Sequence, residues 1–235
     1  MAIVWSCSLS VDEYRAAGDD VVVPRPDCPA CSAPMMFWSR YTRSVRHGGL
    51  CHLIRLRRAR CRRCRQSHAL VPSCCAVGRL DVIDTIGAVI TAVVAGPDGV
   101  RPVAVAFDVP QTTARDWVRR FRRRAEQLAA AFAALFVELS GVAPRPPAGA
   151  EVASLWLMKI VWGEARGRHG PAVASLWPFV NLVCGGAMLA ATTNPLSTLS
   201  GNRRFMPPVP LRDPDERPKR CPPTTPKPSP CIAGR

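Results

Sequence analysis

Hydrophobic positions change period twice along the chain. Between Tyr41 and Arg60 apolar residues alternate with polar ones: Tyr41 and Val45 mark a first strand, His47-Gly48-Gly49-Leu50 a turn, and Cys51 to Arg60 a second strand with Ile54 and Leu56 on one face. Ser67 to Pro72 reads as an extended connector. Near Leu80 the period becomes helical. Val82, Ile83, Ile86, Val89, Ile90 and Val93 recur on one face, with Asp81 placed as a cap, until Gly96-Pro97-Asp98-Gly99 stops the run. Ala125 to Leu139 repeats the pattern with Leu128, Phe132, Leu135, Phe136 and Leu139. Helices are also predicted over Glu151 to Ala165, carrying Trp156 and Trp162, and over Val173 to Leu189, carrying Trp177 and Phe179. Pro178, Asn181 and Gly185-Gly186 interrupt that last stretch, so it lacks the roughly 20 apolar residues that cross a bilayer. From Thr192 onward the chain is polar and proline-rich, a composition that cannot bury enough to fold, and a disordered tail is expected.

Two Cys-x-x-Cys pairs bracket the predicted hairpin, Cys28/Cys31 and Cys61/Cys64. Two residues between paired cysteines let one tight turn aim both sulfurs at one ion, and four thiolates suit tetrahedral Zn²⁺. The 29 intervening residues (32 to 60) suffice for two strands and a turn, which is the plan of a zinc ribbon. Cys51 and His52 are weaker candidate ligands because neither sits in a knuckle turn. A module this short is expected to depend on its metal for folding.

The stretch VRPVAVAFDVPQTTARDWVRRFRRR carries the other strong motif. A helix-turn-helix needs a small residue in its first helix, a tight turn four residues on, an apolar residue after the turn and buried positions in the second helix. Ala104, Asp108, Val109, Ala114 and Trp117 supply that order, with Asp108 where glycine is usual and a threonine of Gln111-Thr112-Thr113 expected to cap the second helix. The second helix of such a motif enters the major groove, which makes Gln111, Thr112, Arg115 and Asp116 the candidate base readers. Arg119, Arg120, Arg122 and Arg123 follow as candidate phosphate contacts, joined from the hairpin by Arg55, Arg57, Arg58, Arg62 and Arg63.

Charge strengthens this reading. The 235-residue chain has a formal net charge of +15, and 29 of its 32 basic residues are arginine, whose planar fork grips phosphate and guanine edges. Between Cys28 and Leu80 lie 11 arginines and no Asp or Glu. The opening MAIVWSCSLSVDEY has no basic n-region and too short an apolar run for a signal peptide, so a cytoplasmic, nucleoid-associated location is expected and the paired cysteines read as metal sites. A strand-transferring nuclease core needs three carboxylates on a β-rich frame. Glu126, Glu138, Glu151 and Glu164 are the only acids between the motif and the tail, all in helical segments. No Gly-rich phosphate loop or HExxH motif appears, and no enzymatic activity is expected.

The order CPAC, IRLRRARCRRCRQSHALVPS, GVRPVAVAFDVPQTTARDWVRRFRRRA and GNRRFMPPVP resembles an uncharacterised family of actinobacterial zinc-ribbon and helix-turn-helix proteins. These are similar to the N-terminal DNA-binding parts of insertion-sequence transposases and often accompany mobile elements. The resemblance covers residues 25 to 210. It implies double-stranded DNA binding by an accessory or targeting protein, with a transposase or integrase partner or a homodimer; a transcriptional regulator or an RNA-binding zinc-ribbon protein are the alternatives. The expected fold class is mainly α: an N-terminal arm over 1–24, a small β zinc ribbon over 25–78, a helix-turn-helix domain with a long C-terminal helix over 79–141, a helical segment over 148–192, and a disordered tail over 193–235.

Overall fold

Gly48 and Gly49 make the turn on which the N-terminal half is built. Both have positive φ, +57° and +75°. A two-residue turn with both residues left-handed matches the twist of the strands it joins, and glycine reaches that conformation without a Cβ penalty. The strands are β2 (Met35–His47) and β3 (Leu50–Cys61), paired antiparallel from Met35↔Cys61 to His47↔Leu50. The computed structural model describes residues 2–170 and 173–189.

The expected mainly α fold with a small ribbon is overturned here. The hairpin is half of a four-stranded mixed sheet of order β1 (Ala2–Trp5), β4 (Ser67–Pro72), β3, β2, and among the described residues helix accounts for 48% and strand for 22%. β4, the segment expected as a connector, pairs antiparallel with β3 and parallel with β1. The stretch expected as an arm also belongs to this unit: α1 (Val11–Ala17), opened by a Ser10/Glu13 capping box, buries Val11 and Tyr14. Tyr14 donates from its hydroxyl to the Arg55 carbonyl at 3.3 Å. Ile3, Tyr14, Val21, Val23, Met35, Val45, Ile54, Leu56, Leu70 and Val71 therefore share one core. That apolar burial is what a metal-dependent ribbon lacks.

The helices form a second core. α2 (Ile83–Ala95), α3 (Val100–Ala106), the 30-residue α4 (Gln111–Ser140), α5 (Ala150–His169) and α6 (Leu176–Val183) bury Ile86, Ile90, Trp117, Phe121, Phe132, Met158 and Phe179 together. Gly87 of α2 is the seat of a ring, since a Cβ there would lie 2.0 Å from Trp177. Asp81 does not cap α2, which starts after Val82 without a side-chain cap. Its carboxylate instead takes two hydrogen bonds from Arg46, at 2.6 and 3.0 Å. The linker around it is clamped to β2: the Arg46 N–H donates to Leu80 O, and the Arg43 guanidinium donates to Ala76 O and to Arg79 O. Asn181 of α6 adds bonds to Ser73 O and Cys75 O, so sheet and helices are tied at several points. The tail over 193–235, with Arg203 and Arg204, lies outside the described residues.

Candidate metal centre and basic surface

The two knuckles have matching backbones. Cys28 N–H donates to Ala33 O at 2.8 Å and Cys61 N–H to Gln66 O at 2.9 Å, the same five-residue closure in both. Closing it takes a left-handed residue just after the second cysteine, and Ser32 (φ +55°) and Arg65 (φ +60°) supply it. The β2–β3 register sets Met35 opposite Cys61 and brings the two turns face to face.

All four sulfurs of Cys28, Cys31, Cys61 and Cys64 lie within 4.8 Å of one another, with Cys28 3.4 Å from Cys64 and Cys31 3.5 Å from Cys61. The expected ligand set is thus assembled, and it can hold a metal ion. Thiols this close resist ionising together. The Cys64 N–H, with lesser help from the Cys31 sulfur, pulls Cys61 down to about 6. Cys64 has the Gln66 N–H favouring its thiolate, yet burial and the sulfurs of Cys28 and Cys61 push it up to about 12. A cation among the sulfurs would remove this conflict by favouring four thiolates. Cys51 and His52 stand near the far end of the hairpin, where His52 Nδ1 lies 3.6 Å from an Asp12 carboxylate oxygen. Neither belongs to the cluster.

The expected DNA-contacting residues divide into several groups. Gln111, Thr112, Arg115 and Arg119 are exposed along the first turns of α4. α4 begins at Gln111 behind Pro110 with no side-chain cap, so the expected threonine cap is absent and the threonines lie inside the helix. Asp116 is the hub of an ionic cluster. It accepts from Arg119 at 2.7 Å, from Arg120 at 2.7 Å and from Arg79 at 3.4 Å. Those guanidiniums, Arg120 foremost, hold its carboxyl below the usual range. Arg122 reaches Glu151 of α5 at 3.1 Å, and the exposed Arg123 lines the same cleft between the two helices.

On the sheet, Arg55 pairs with Asp19 at 2.8 Å and Arg57 donates to Asp19 O at 3.2 Å. Arg58 reaches Ser67 Oγ at 3.4 Å, while Arg62 and Arg63 stand exposed between the knuckle cysteines. Asp19 and Arg79, unremarked in sequence, gave no local signal: Asp19 is engaged by Arg40 and Arg55, and Arg79 by Asp116, all distant along the chain.

The turn between α3 and α4 has the left-handed Asp108 (φ +50°), and Val109 N–H donates back to Ala104 O at 2.9 Å. Ala104, Val109, Ala114 and Trp117 are all buried there. The hairpin tip abuts this turn, since a Cβ at Gly49 would lie 3.3 Å from Asp108 Oδ2. The metal centre is at the opposite end of the hairpin. Eleven residue steps along β3, at about 3.3 Å each, separate it from the tip by roughly 36 Å. The two elements are connected but not side by side. Among the described residues no helix is long and apolar enough to cross a membrane.

Comparison with known proteins adds one finding. No curated protein and no solved structure matches the chain. A family model described as a domain of unknown function (DUF6431) matches residues 28–104, a span that runs from the first knuckle cysteine through the hairpin, β4 and α2 to Ala104 in α3.

Proposed function

We propose that this chain binds double-stranded DNA without catalysing a reaction on it, with α3, the turn and α4 acting as a helix-turn-helix. The observation that carries the reading is the start of α4. There Gln111, Thr112, Arg115 and Arg119 are exposed while Ala114, Trp117 and Val118 of the same turns are fully buried, the division between groove-facing and core-facing residues that such a helix needs. Asp116 changes role in this account. Engaged by three arginines, it positions them for phosphates rather than accepting from a base.

Zn²⁺ is the ion we assign to the four cysteines. Four thiolates at about 2.3 Å from a tetrahedral ion are about 3.8 Å apart, close to the observed sulfur spacing. Zinc bound there would supply rigidity to the two knuckles. The chain's own residues do the rest: Arg62 and Arg63 are presented to phosphate, and Arg43, Arg46 and Asp81 clamp the sheet to the linker before α2, whose Arg79 reaches Asp116 of α4. The resemblance to transposase DNA-binding regions supports a mobile-element accessory or targeting role, with regulation of transcription as the second reading.

The test is fluorescence anisotropy on a labelled DNA duplex, with unlabelled duplex DNA and duplex RNA as competitors. DNA should compete better, and Arg115→Ala combined with Arg119→Ala should weaken binding at least about tenfold, in keeping with about 1–3 kcal/mol for a good base contact. Equal competition by RNA, or a double variant within twofold of the parent, contradicts the reading.

A further inference from the structure

Trp38 is large, apolar and 63% exposed, and it lies in the stretch from Cys28 to Leu80 that carries 11 arginines and no acidic residue. Its position is built. The register of β2 against β3 shifts between Phe37 and Ser39, so Trp38 is the extra residue of a β-bulge on the edge strand of the sheet. Bulges re-aim side chains; the pairs on either side of this one are Phe37↔Ala59 and Ser39↔Arg58, with Met36↔Arg60 one step further, so two arginines of β3 stand across from the bulge. The Arg60 guanidinium lies over the ring, 4.8 Å from its centroid, and is tethered by a 3.4 Å bond to Arg65 O. The neighbouring Phe37 ring carries Arg57 at 5.0 Å and Arg25 at 5.7 Å.

We infer that Trp38 is a stacking platform for an unpaired nucleobase, with Arg58 and Arg60 beside it to hold the adjoining phosphates. A solvent-facing indole offers a π-face that any base can cover, and an arginine already stacked on it couples that face to backbone charge. The surroundings select the occupant. No acidic residue occurs between Cys28 and Leu80, so a second copy of this chain would meet like charge across the edge strand, whereas a nucleic-acid strand brings both an aromatic face and anions. This site is independent of α4 and stands apart from the duplex reading. It gives the protein affinity for a junction or a melted end, where paired and unpaired strands meet.

The experiment measures anisotropy of the full-length, metal-loaded protein with labelled oligothymidylate and oligouridylate of about 12 nucleotides, and with a DNA duplex in parallel. Trp38→Ala should weaken single-strand binding by about 5- to 150-fold, the range expected for one stacked base, while Trp38→Phe retains most of it. Duplex affinity should change by less than about twofold. Equal loss for both oligonucleotides assigns the site to the base alone, and a preference for oligouridylate assigns it to RNA; both keep the stacking platform. Because Trp38 is exposed, metal content and the circular dichroism spectrum of Trp38→Ala should match the parent. Duplex binding without single-strand binding sinks this inference and leaves the proposed function standing, whereas single-strand binding that needs Trp38 in a protein that ignores duplex does the reverse. Single-strand binding unchanged in Trp38→Ala, or a Trp38-dependent dimer seen by light scattering in its place, overturns it.

Discussion

Replacing Gly87 by alanine sets two physical effects against each other. Gly87 lies inside α2, where an alanine favours helix by about 1 kcal/mol through reduced backbone entropy. The Trp177 ring of α6 occupies the space a Cβ would enter, at 2.0, 2.1 and 2.4 Å from three of its atoms. Ordinary carbon contacts begin near 3.5 Å, so ring or helix must retreat by about 1.5 Å. Trp177 is only 8% exposed and packs in the helical core, which leaves little room for that movement. Overpacking of this kind costs about 1–3 kcal/mol, and complete loss of the ring's packing would cost about 3–5 kcal/mol. The clash wins, and Gly87→Ala should destabilise by about 1–2 kcal/mol net. Urea unfolding followed by circular dichroism measures it. In a Trp177→Ala background the seat is vacant and the same substitution should become neutral or stabilising, giving a coupling energy of about 2 kcal/mol. A Gly87→Ala variant more stable than its parent would refute the α2–α6 packing described here.

Other consequences reach the metal, the buried histidine and the ionic cluster. Cys61→Ser should abolish stoichiometric metal, read by mass spectrometry, yet leave most sheet dichroism intact because the core beneath it is apolar; complete unfolding would contradict that. His68 is 1% exposed and neither ring nitrogen has a hydrogen-bond partner, so His68→Leu should stabilise the fold by about 1–2 kcal/mol in thermal or urea melts. Burial lowers the His68 pKa below the unfolded value near 6.5, so its neutral form is favoured by folding. Stability tied to it is complete above that pH and declines as pH falls through and below it, and the gain in His68→Leu should be larger at pH 5 than at pH 8. Asp116 has a depressed carboxyl pKa, so its contribution is present above the usual value near 3.9 and is lost as pH falls below it. Asp116→Asn should flatten the stability profile in that acid window, cost no more than about 1 kcal/mol at neutral pH because the pairs are partly exposed, and weaken duplex binding despite removing a negative charge.

Local signals were legible and long-range ones were not. The hairpin turn, both knuckles and the α3–α4 turn announce themselves within a few residues, through glycine pairs, Cys-x-x-Cys spacing and a small-then-apolar order around Asp108. The sheet's true size did not, because β1 pairs in parallel with β4 across more than 60 intervening residues, and no short-range pattern encodes that partnership. Ala2–Trp5 reads AIVW, wholly apolar, and Ser67–Pro72 reads SHALVP, polar and then apolar, so neither shows the alternation that identifies a strand. Asp81 and Asp116 both sit where helix caps or base readers are expected. The distant Arg46 claims Asp81 instead, while Asp116 is held by Arg119 and Arg120 of its own helix together with the distant Arg79.

The central claim, that exposed arginines of α4 and of the metal-held knuckle grip duplex DNA, is tested most directly by the salt dependence of that binding. If Arg62, Arg63, Arg119 and Arg123 each neutralise a phosphate, affinity should fall about 10²-fold between about 50 and 200 mM salt, with a log–log slope of about −3.6. Arg62→Ala with Arg63→Ala should reduce that slope by about 2. A duplex affinity that hardly changes across the series, or a slope indifferent to those two residues, contradicts the account.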